Sequence, residues 1–338
     1  MPNIITQIIE RLNNSQKILI GMHLGPDGDA VGSLVGLGHI CVHLGKEVRL
    51  YCQTDVPDSL NWLKAPAPEM HRFDELGTWT PDLVFLVDCA TAARAGTEME
   101  AFFKGARPKG WEHTKTVCID HHSDNPHFAE INWVEKAGAT AELIARLAKT
   151  LGFTLKGELG EAIYLGIMAD TGNFTFSSTS PELMRLAADI VESGLNVPDF
   201  TQKKDNNWSL NKMHFWGELM CNLNHHAQGR IVSSVITRKM MDKYNCHASD
   251  LEGFVAFLRQ LRGVDVSVLM REKLNGGTKV SLRSMGGSNS VDVQAVAAKF
   301  GGGGHTSAAG AETGFPILQA EAKVMEVLLP AVENTQIG

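Results

Sequence analysis

The sequence contains few cysteines, and no two of them have metal-binding or disulfide-framework spacing. Six cysteines are scattered over 338 residues, and none belongs to a Cys-x-x-Cys motif. This argues against a zinc knuckle and against a small disulfide-stapled scaffold. Because several cysteines lie in apolar runs, we expect them to be buried free thiols.

A targeting segment, a membrane-spanning segment and an excess of positive charge are also absent. Residues 1–7 lack a basic region followed by an apolar stretch, and no apolar run approaches the length that spans a bilayer. The net charge of −7 argues against a partner such as long duplex nucleic acid, which needs a broad basic surface. We expect a cytoplasmic protein with no membrane partner; the sequence leaves a homodimer open.

What the chain does contain is enough apolar material for two domains. Hydrophobic residues make up 43% of the sequence. In the first half, short apolar runs alternate with helical patterns, which predicts an α/β fold with a doubly wound, mostly parallel sheet. The predicted strands are residues 17–23, 47–53, 83–88 and 116–120, and the predicted helices are residues 30–44, 139–151, 159–169 and 181–193.

A polar stretch at residues 201–211, followed by an apolar helical segment near 215–223, predicts a connector. The pattern then restarts with a strand at 230–237, a helix near 249–261, paired strands at 264–271 and 278–284, and a helix at 291–300. Asn275-Gly276-Gly277 is typical of a hairpin turn between the paired strands. We therefore predict a catalytic domain at 1–195, a helical connector at 196–228 and a smaller α/β domain at 229–338.

Side chains able to bind metal follow apolar runs at four places in the first domain. Because the carboxyl ends of parallel strands meet at one edge of a sheet, we expect these side chains to converge. Oxygen and imidazole ligands without cysteine suit Mn²⁺ or Mg²⁺ better than structural Zn²⁺, and two ions that share one Asp would use all the carboxylates. The candidates are His23 with Asp27 and Asp29, then Asp88, then Asp120-His121-His122, and finally Asp170.

Each place also has a purely structural interpretation. Asp27 is equally well explained as a helix cap and as a ligand. Asp88, taken singly, is better explained as a hydrogen-bonded loop residue than as a ligand, and Asp170 can be explained as a turn cap. Adjacent imidazoles after a buried strand have few structural uses, although one of them can be a packed spectator. Four independent caps, all placed after apolar runs, form the weaker hypothesis.

These residues resemble the motifs of the DHH phosphoesterases. The matching positions are His23-x-x-Pro26-Asp27-x-Asp29-Ala30-x-Gly32-Ser33, Asp88, Asp120-His121-His122 and Asp170-Thr171-Gly172. Gly301-Gly302-Gly303-Gly304-His305, after Val280-Ser281-Leu282-Arg283-Ser284, is similar to the glycine-rich motif of the DHHA1 domain. The resemblance covers nearly the whole chain and is greatest to the bacterial oligoribonuclease and pAp phosphatase (nanoRNase) branch.

The resemblance implies a ligand set and catalytic roles. His23, Asp27 and Asp88 would hold one Mn²⁺, and Asp29, Asp88, His121 and Asp170 the other, with Asp88 shared. Asp120 would orient the site or add a ligand, and His122 would face the scissile phosphate. Mg²⁺ or another divalent ion is an alternative to Mn²⁺.

In the second domain, the glycine run alone is explained by a flexible turn. With Arg283, Ser284 and His305 nearby, we expect Gly302, Gly303 and Gly304 to take part in a clamp for a terminal phosphate. The expected activity is hydrolysis of short oligoribonucleotides, including linear pApA and pGpG, to mononucleotides, with pAp 3′-phosphatase activity as a further expectation. The alternatives are a pyrophosphatase or polyphosphatase and a non-catalytic nucleotide sensor.

Overall fold

The computed structural model describes residues 3–205, 208–285 and 290–335. The chain divides into two compact units, Met1–Asn207 and Trp208–Gly338. Each unit has hydrophobic clusters of its own. No helix in the described part of the chain combines the length and apolar character needed to cross a bilayer.

The first unit alternates strands and helices. Its elements are α1 (Ile4–Asn13), β1 (Lys17–Gly21), α2 (Gly28–His43), β2 (Glu47–Tyr51), β3 (Glu69–Met70), β4 (Leu83–Val87), α3 (Thr97–Phe103), β5 (Lys115–Asp120), β6 (Ile131–Val134), α4 (Thr140–Thr150), α5 (Gly157–Asp170), α6 (Pro181–Glu192) and α7 (Val197–Asp205).

Among the described residues, the strands of this unit form a six-stranded sheet in the order β3-β2-β1-β4-β5-β6. Every neighbouring pair is parallel. All five residues of β4 are buried, as expected of a central strand covered by helices on both faces. The predicted doubly wound sheet is confirmed, and β1, β4 and β5 lie side by side.

Helices α2 and α5 pack closely enough that glycine is required at their crossing. A Cβ atom at Gly166 of α5 would lie 2.5 Å from the Cβ of Ala141 and 2.6 Å from Oδ1 of Asp29. This approach brings the end of α5, which carries Asp170, toward the start of α2, which carries Asp29.

The second unit contains α8 (Leu210–Cys221), β7 (Asn224–His226), β8 (Ile231–Ile236), α9 (Arg238–Tyr244), α10 (Phe254–Phe257), β9 (Val266–Glu272), β10 (Thr278–Ser284), α11 (Val293–Ala298), β11 (Gly303–His305), β12 (Ala308–Thr313) and α12 (Ile317–Glu333). Its described strands form a mixed sheet in the order β11-β12-β10-β9-β8-β7. The predicted hairpin is confirmed, because β9 and β10 pair antiparallel.

The second unit differs from the sequence expectations in two helices. The helix predicted near 249–261 is interrupted, with short 3₁₀ turns on either side of the four-residue α10, because Gly253 adopts a φ of 80°. The 17-residue α12 was not predicted, although its buried Ala320, Val324, Leu328 and Val332 recur every fourth residue. The segment predicted as a connector contains α7 of the first unit and α8 and β7 of the second.

Candidate metal centre

The candidate ligands of the first unit converge at the carboxyl edge of its sheet. His23 follows β1, Asp88 follows β4, and Asp120 ends β5, with His121 and His122 directly after it. The three strands are adjacent and parallel, so their ends meet at one place. This convergence was the central expectation from the sequence, and the structure shows it.

The first donor group consists of His23, Asp27 and Asp88, whose donor atoms lie within 4.8 Å of one another. Nε2 of His23 is 3.8 Å from Oδ1 of Asp27 and 3.7 Å from Oδ2 of Asp88. Asp27 is also the N-cap of α2, because its Oδ1 accepts the backbone N–H groups of Asp29 and Ala30 at 3.1 Å. The capping interpretation of Asp27 is therefore correct, and the same carboxylate faces His23.

The second donor group consists of Asp29, His121 and Asp170. Nε2 of His121 is 3.0 Å from Oδ2 of Asp170 and 4.0 Å from Oδ2 of Asp29. It is also 3.6 Å from Oδ1 of Asp88. The two oxygens of Asp88 thus face different groups, Oδ2 toward His23 and Oδ1 toward His121.

The start of α4 holds the carboxylates in place. Asp29 accepts the backbone N–H groups of Thr140 at 2.6 Å and Ala141 at 2.9 Å. The hydroxyl of Thr140 donates to Oδ1 of Asp88 at 2.9 Å. Backbone N–H groups at the start of α4 thus stabilise the carboxylate of Asp29, and the Thr140 hydroxyl stabilises that of Asp88.

Two of the acidic residues occupy backbone positions that are unfavourable for folding. Asp88 has a φ of 52°, in the left-handed region that non-glycine residues adopt only occasionally. Asp170 is the last residue of α5, where the helix carbonyls repel a carboxylate. The backbone strain at Asp88 and the unfavourable electrostatic position of Asp170 are typical of a functional site.

Crowding of like charge shifts the pKa values in this cluster. Burial together with the nearby charges of Asp88 and Asp170 raises the pKa of Asp29 well above its usual range. Burial would lower the pKa of His121, but Asp170, Asp88 and Asp29 outweigh it and raise that pKa. Both shifts follow from several carboxylates lying close together in a buried place.

The donor set fits divalent cations. Nδ1 of His23 contacts the carbonyl of Leu24 at 3.0 Å, and Nδ1 of His121 contacts the carbonyl of Ala137 at 3.2 Å. Metal-binding histidines typically donate one ring N–H to such an acceptor and present the other nitrogen to the ion. Nε2 of His23 is buried and has no hydrogen-bond partner in the described part of the chain. Ligands about 2.0–2.3 Å from one ion lie about 3–4 Å from one another, as these donor atoms do.

Beside the two groups, a chain of polar contacts runs through Asp120 and His122. Oδ1 of Asp120 is 2.7 Å from Nδ1 of His122, and Oδ2 accepts the side-chain N–H of Asn125 at 2.8 Å. Burial would raise the pKa of Asp120, but His122 and Asn125 outweigh it and lower that pKa. Asp120 therefore fixes the ring of His122 and is itself held by Asn125.

The second unit places the predicted phosphate-binding residues on and beside its sheet. Arg283 is partly exposed, whereas Ser284, the next residue of β10, is fully buried. Successive strand residues point to opposite faces, so the two side chains do not share a surface. The hydroxyl of Ser284 contacts the carbonyl of Thr306 at 3.5 Å. Contrary to expectation, the buried hydroxyl of Ser284 lies on the opposite face of the sheet from the side chain of Arg283, so the two do not form one phosphate-binding surface.

The glycine run has different requirements at successive positions. A Cβ atom at Gly302 would lie 2.1 Å from the carbonyl oxygen of Gly310, so close packing against β12 requires glycine there. Gly304 has a φ of 134°, and a Cβ atom there would also meet β12. A Cβ atom at Gly303 would meet nothing within 4 Å. His305 is exposed at the end of β11 and pairs with Ala308.

Comparison with known proteins identifies the family. Residues 17–167 match the model of the DHH family N-terminal domain, and residues 229–327 match the DHHA1 domain. The bifunctional oligoribonuclease and PAP phosphatase NrnA of Thermus thermophilus is 32% identical over 316 residues, which are 92% of this chain and 89% of that protein. The chain belongs to the DHH phosphoesterase family. The resemblance drawn from the motifs is confirmed.

Further relatives extend over most of this DHH-family chain. A protein of the same name from Bacillus subtilis is 26% identical over 311 residues, which are 90% of this chain and 92% of that protein. An exopolyphosphatase-related protein of Bacteroides fragilis, known as a crystal structure, has a TM-score of 0.84 at 26% identity and covers 98% of this chain and 95% of its own. The chain is therefore a hydrolase of phosphoester bonds, in a family that depends on divalent metal ions.

Three residues of this DHH-family site were missed by the sequence reasoning. Thr140 contacts two of the predicted ligands, Asn125 contacts Asp120, and Nη1 of Arg94 lies 3.4 Å from Nε2 of His122. A threonine opening a predicted helix could have marked the first of these. The positions of Asn125 and Arg94 depend on loops whose course the sequence does not reveal.

Proposed function

We propose that this protein is a two-metal phosphodiesterase that hydrolyses short oligoribonucleotides, including linear dinucleotides such as pApA and pGpG, to mononucleotides. The observation that carries the proposal is the pair of donor groups that share Asp88 beside the Asp120–His122 pair. The oligoribonuclease names of the relatives that span about nine-tenths of the chain support this substrate class.

His23, Asp27 and Asp88 would hold one Mn²⁺ ion, and Asp29, Asp88, His121 and Asp170 the other. Mg²⁺ or another divalent ion is the alternative. Bound there, the ions would supply Lewis-acid stabilisation of the phosphoryl oxygens during an in-line displacement. The contribution of this chain's own residues is to fix the donor atoms before substrate arrives, as the hydrogen bonds from α4 do for Asp29 and Asp88.

His122 is the residue proposed to handle the proton of the reaction. Its Nδ1 is held by Asp120 at 2.7 Å, which leaves Nε2 directed away from that carboxylate. With the ring protonated from solvent, Nε2–H would pass its proton to the departing 3′ oxygen of the cleaved nucleotide, and the neutral ring would then be reprotonated from solvent. The charge of Asp120 would stabilise the protonated ring before the transfer. The predicted catalytic roles of His122 and Asp120 are thus parts of one unit.

The second unit is proposed to bind a terminal phosphate. Arg283 would supply bidentate N–H contacts, and His305 a further donor. Gly303 leaves open space on the surface of β11, so a ligand can approach the backbone there. Gly302 and Gly304 would support this surface through their packing against β12.

Two related activities depend on the same centre. Removal of the 3′ phosphate of pAp would use the same metals, and the PAP phosphatase names of the relatives favour it. The exopolyphosphatase-related protein of Bacteroides fragilis, which is similar over nearly the whole chain, makes polyphosphate the second candidate substrate.

A substrate panel tests the proposal. The metal-free protein is supplied with Mn²⁺ and offered RNAs of two to seven residues, pAp, linear and cyclic dinucleotides, pyrophosphate and polyphosphate, with products resolved by length. We expect Mn²⁺-dependent release of mononucleotides from the shortest RNAs. Preferential release of phosphate from pyrophosphate or polyphosphate would overturn the proposal, as would tight nucleotide binding without turnover at saturating Mn²⁺.

A further inference from the structure

Arg94 lies at the edge of the metal centre and was assigned no role by the motifs. It belongs to a short 3₁₀ turn, Ala92–Ala95, that follows β4 and Asp88. The turn is anchored by its small residues, because Ala95 is fully buried and Ala92 nearly so. The side chain of Arg94 is exposed.

The backbone of this turn is fixed to the segment that carries His23. The carbonyl of Arg94 accepts the N–H of Leu24 at 2.7 Å, and the N–H of Arg94 donates to the carbonyl of Thr91 at 3.0 Å. Just after the turn, the N–H of Thr97 donates to the side-chain oxygen of Gln53 at 3.0 Å. Arg94 is therefore an exposed cation on a well-anchored backbone.

The guanidinium of Arg94 faces the candidate metal centre and makes few contacts with it. Nη1 contacts Nε2 of His122 at 3.4 Å, a long hydrogen bond. Among the residues that the structure describes, Arg94 makes no ion pair with a carboxylate within 4.0 Å, although the acidic cluster is adjacent. Most of its N–H donors thus remain available on the open side of the site.

We propose that Arg94 binds the non-bridging oxygens of the phosphate group that is hydrolysed. This inference rests on the phosphodiesterase activity proposed above. A planar guanidinium matches two oxygens of a phosphate, and a phosphate brought between the metal ligands and His122 reaches Arg94 on the same side. The contact with His122 then gives way to charge-assisted hydrogen bonds with the substrate.

A purely positioning role for Arg94, in which it only orients His122, makes a different prediction. Residues that act through one another show non-additive effects, whereas independent contacts add. The decisive comparison is therefore Arg94→Gln in the wild-type background and in a His122→Asn background.

The experiment measures kcat and KM for a dinucleotide with Mn²⁺, and the affinity for AMP in the presence of Mn²⁺ by calorimetry. We expect Arg94→Gln to lower kcat/KM about 100- to 1000-fold and to weaken AMP binding about tenfold or more. Arg94→Gln should weaken AMP binding by the same factor when it is introduced into the His122→Asn background. Arg94→Lys should recover part of the loss, because it restores charge but not bidentate geometry.

Arg185→Gln is the matched control, since Arg185 is an exposed arginine of α6 that forms an ion pair with Glu182; the kinetics of this variant should equal those of wild type. The Mn²⁺ concentration that half-saturates the thermal shift should stay within about twofold in Arg94→Gln, because Arg94 is not a ligand. The inference would be overturned if Arg94→Gln left the AMP affinity unchanged, or if it weakened AMP binding in the wild-type background but not in the His122→Asn background. Wild-type protein without phosphodiesterase activity would instead overturn the proposed function.

Discussion

Among single residues, Asp88 is the one that joins the two donor groups of the candidate metal centre. Its two carboxylate oxygens face the two donor groups, its φ is 52°, and Thr140 donates to it. Asparagine tolerates the left-handed region better than most residues. Asp88→Asn therefore removes the charge while keeping the backbone.

We predict that Asp88→Asn lowers Mn²⁺-dependent kcat at least about 1000-fold without unfolding the protein. In metal-free protein the melting temperature should stay equal or rise, because one of several crowded carboxylates becomes neutral. Calorimetry and steady-state kinetics measure both effects. Glu182→Gln, at an exposed ion pair on α6, is the control. An Asp88→Asn variant with near wild-type turnover would show that the two groups do not share this residue.

Asn125 is a buried positioning residue of the same site. Its side chain donates to Asp120 at 2.8 Å and accepts the N–H of His127 at 2.9 Å. Removing one partner of a buried, charged hydrogen bond costs about 1–3 kcal/mol.

We predict that Asn125→Ala lowers the free energy of unfolding by about that amount and reduces kcat far more than KM, because Asp120 then holds His122 less firmly. Asn132→Ala is the matched control. Asn132 also bonds to nearby backbone, at both the N–H and carbonyl of Ala129, but it lies outside the metal centre. Equal losses of kcat in the two variants would count against a positioning role for Asn125.

Within the secondary-structure elements, the glycines before His305 have two different roles: Gly302 allows close packing, and Gly303 leaves an open surface to which a ligand could bind. Gly302 packs against the backbone of β12, whereas Gly303 has open space around its Cβ position. Inserting a methyl group into a filled site costs about 1–3 kcal/mol, and inserting one at an open surface costs little.

We predict that Gly302→Ala lowers the free energy of unfolding by about 1–3 kcal/mol. Gly303→Val should change it by no more than about 0.5 kcal/mol and yet raise KM for short RNA about tenfold, by occupying the surface that the ligand approaches. Denaturant unfolding and kinetics on the same preparations test both. If Gly303→Val keeps wild-type KM, the ligand does not contact this strand.

The packing of α5 against α2 and α4 beside the candidate metal centre explains why α5 carries glycine at its crossing. Gly166 leaves room for the carboxylate of Asp29, whose Oδ1 would be 2.6 Å from a Cβ atom there. The glycine in α5 is thus required both by the candidate ligand Asp29 of α2 and by Ala141 of α4.

At the scale of the whole molecule, the chain has two units with separate hydrophobic clusters, and all the proposed metal ligands belong to the first. A ligand that binds only the folded form of one unit stabilises that unit. At a hundredfold excess over Kd the gain is about 2.7 kcal/mol.

We predict two transitions in differential scanning calorimetry, of which Mn²⁺ raises only one. Asp29→Asn should abolish that shift, because Asp29 belongs to the second donor group. EDTA should reverse the shift in wild type. An equal rise of both transitions, or a shift that survives in Asp29→Asn, would contradict this assignment of the metal to the first unit.

Local patterns in the sequence were enough to predict the parallel sheet, the family, and which acidic and histidine side chains end the strands. Apolar runs and the residues after them are local patterns, and the meeting of parallel strand ends follows from the sheet. The hairpin at Asn275-Gly276-Gly277 is local in the same way.

Which side chains support those candidate ligands depends on contacts between distant parts of the chain. Thr140 lies 52 residues along the chain from Asp88, and Arg94 lies 28 residues from His122. The sequence does not show that residues so far apart come into contact. The tertiary structure also decided that Ser284 is buried while Arg283 is not, since which strand face meets a core depends on the helices packed there. Local patterns fix where an element ends, whereas packing between distant elements fixes what its last side chains touch.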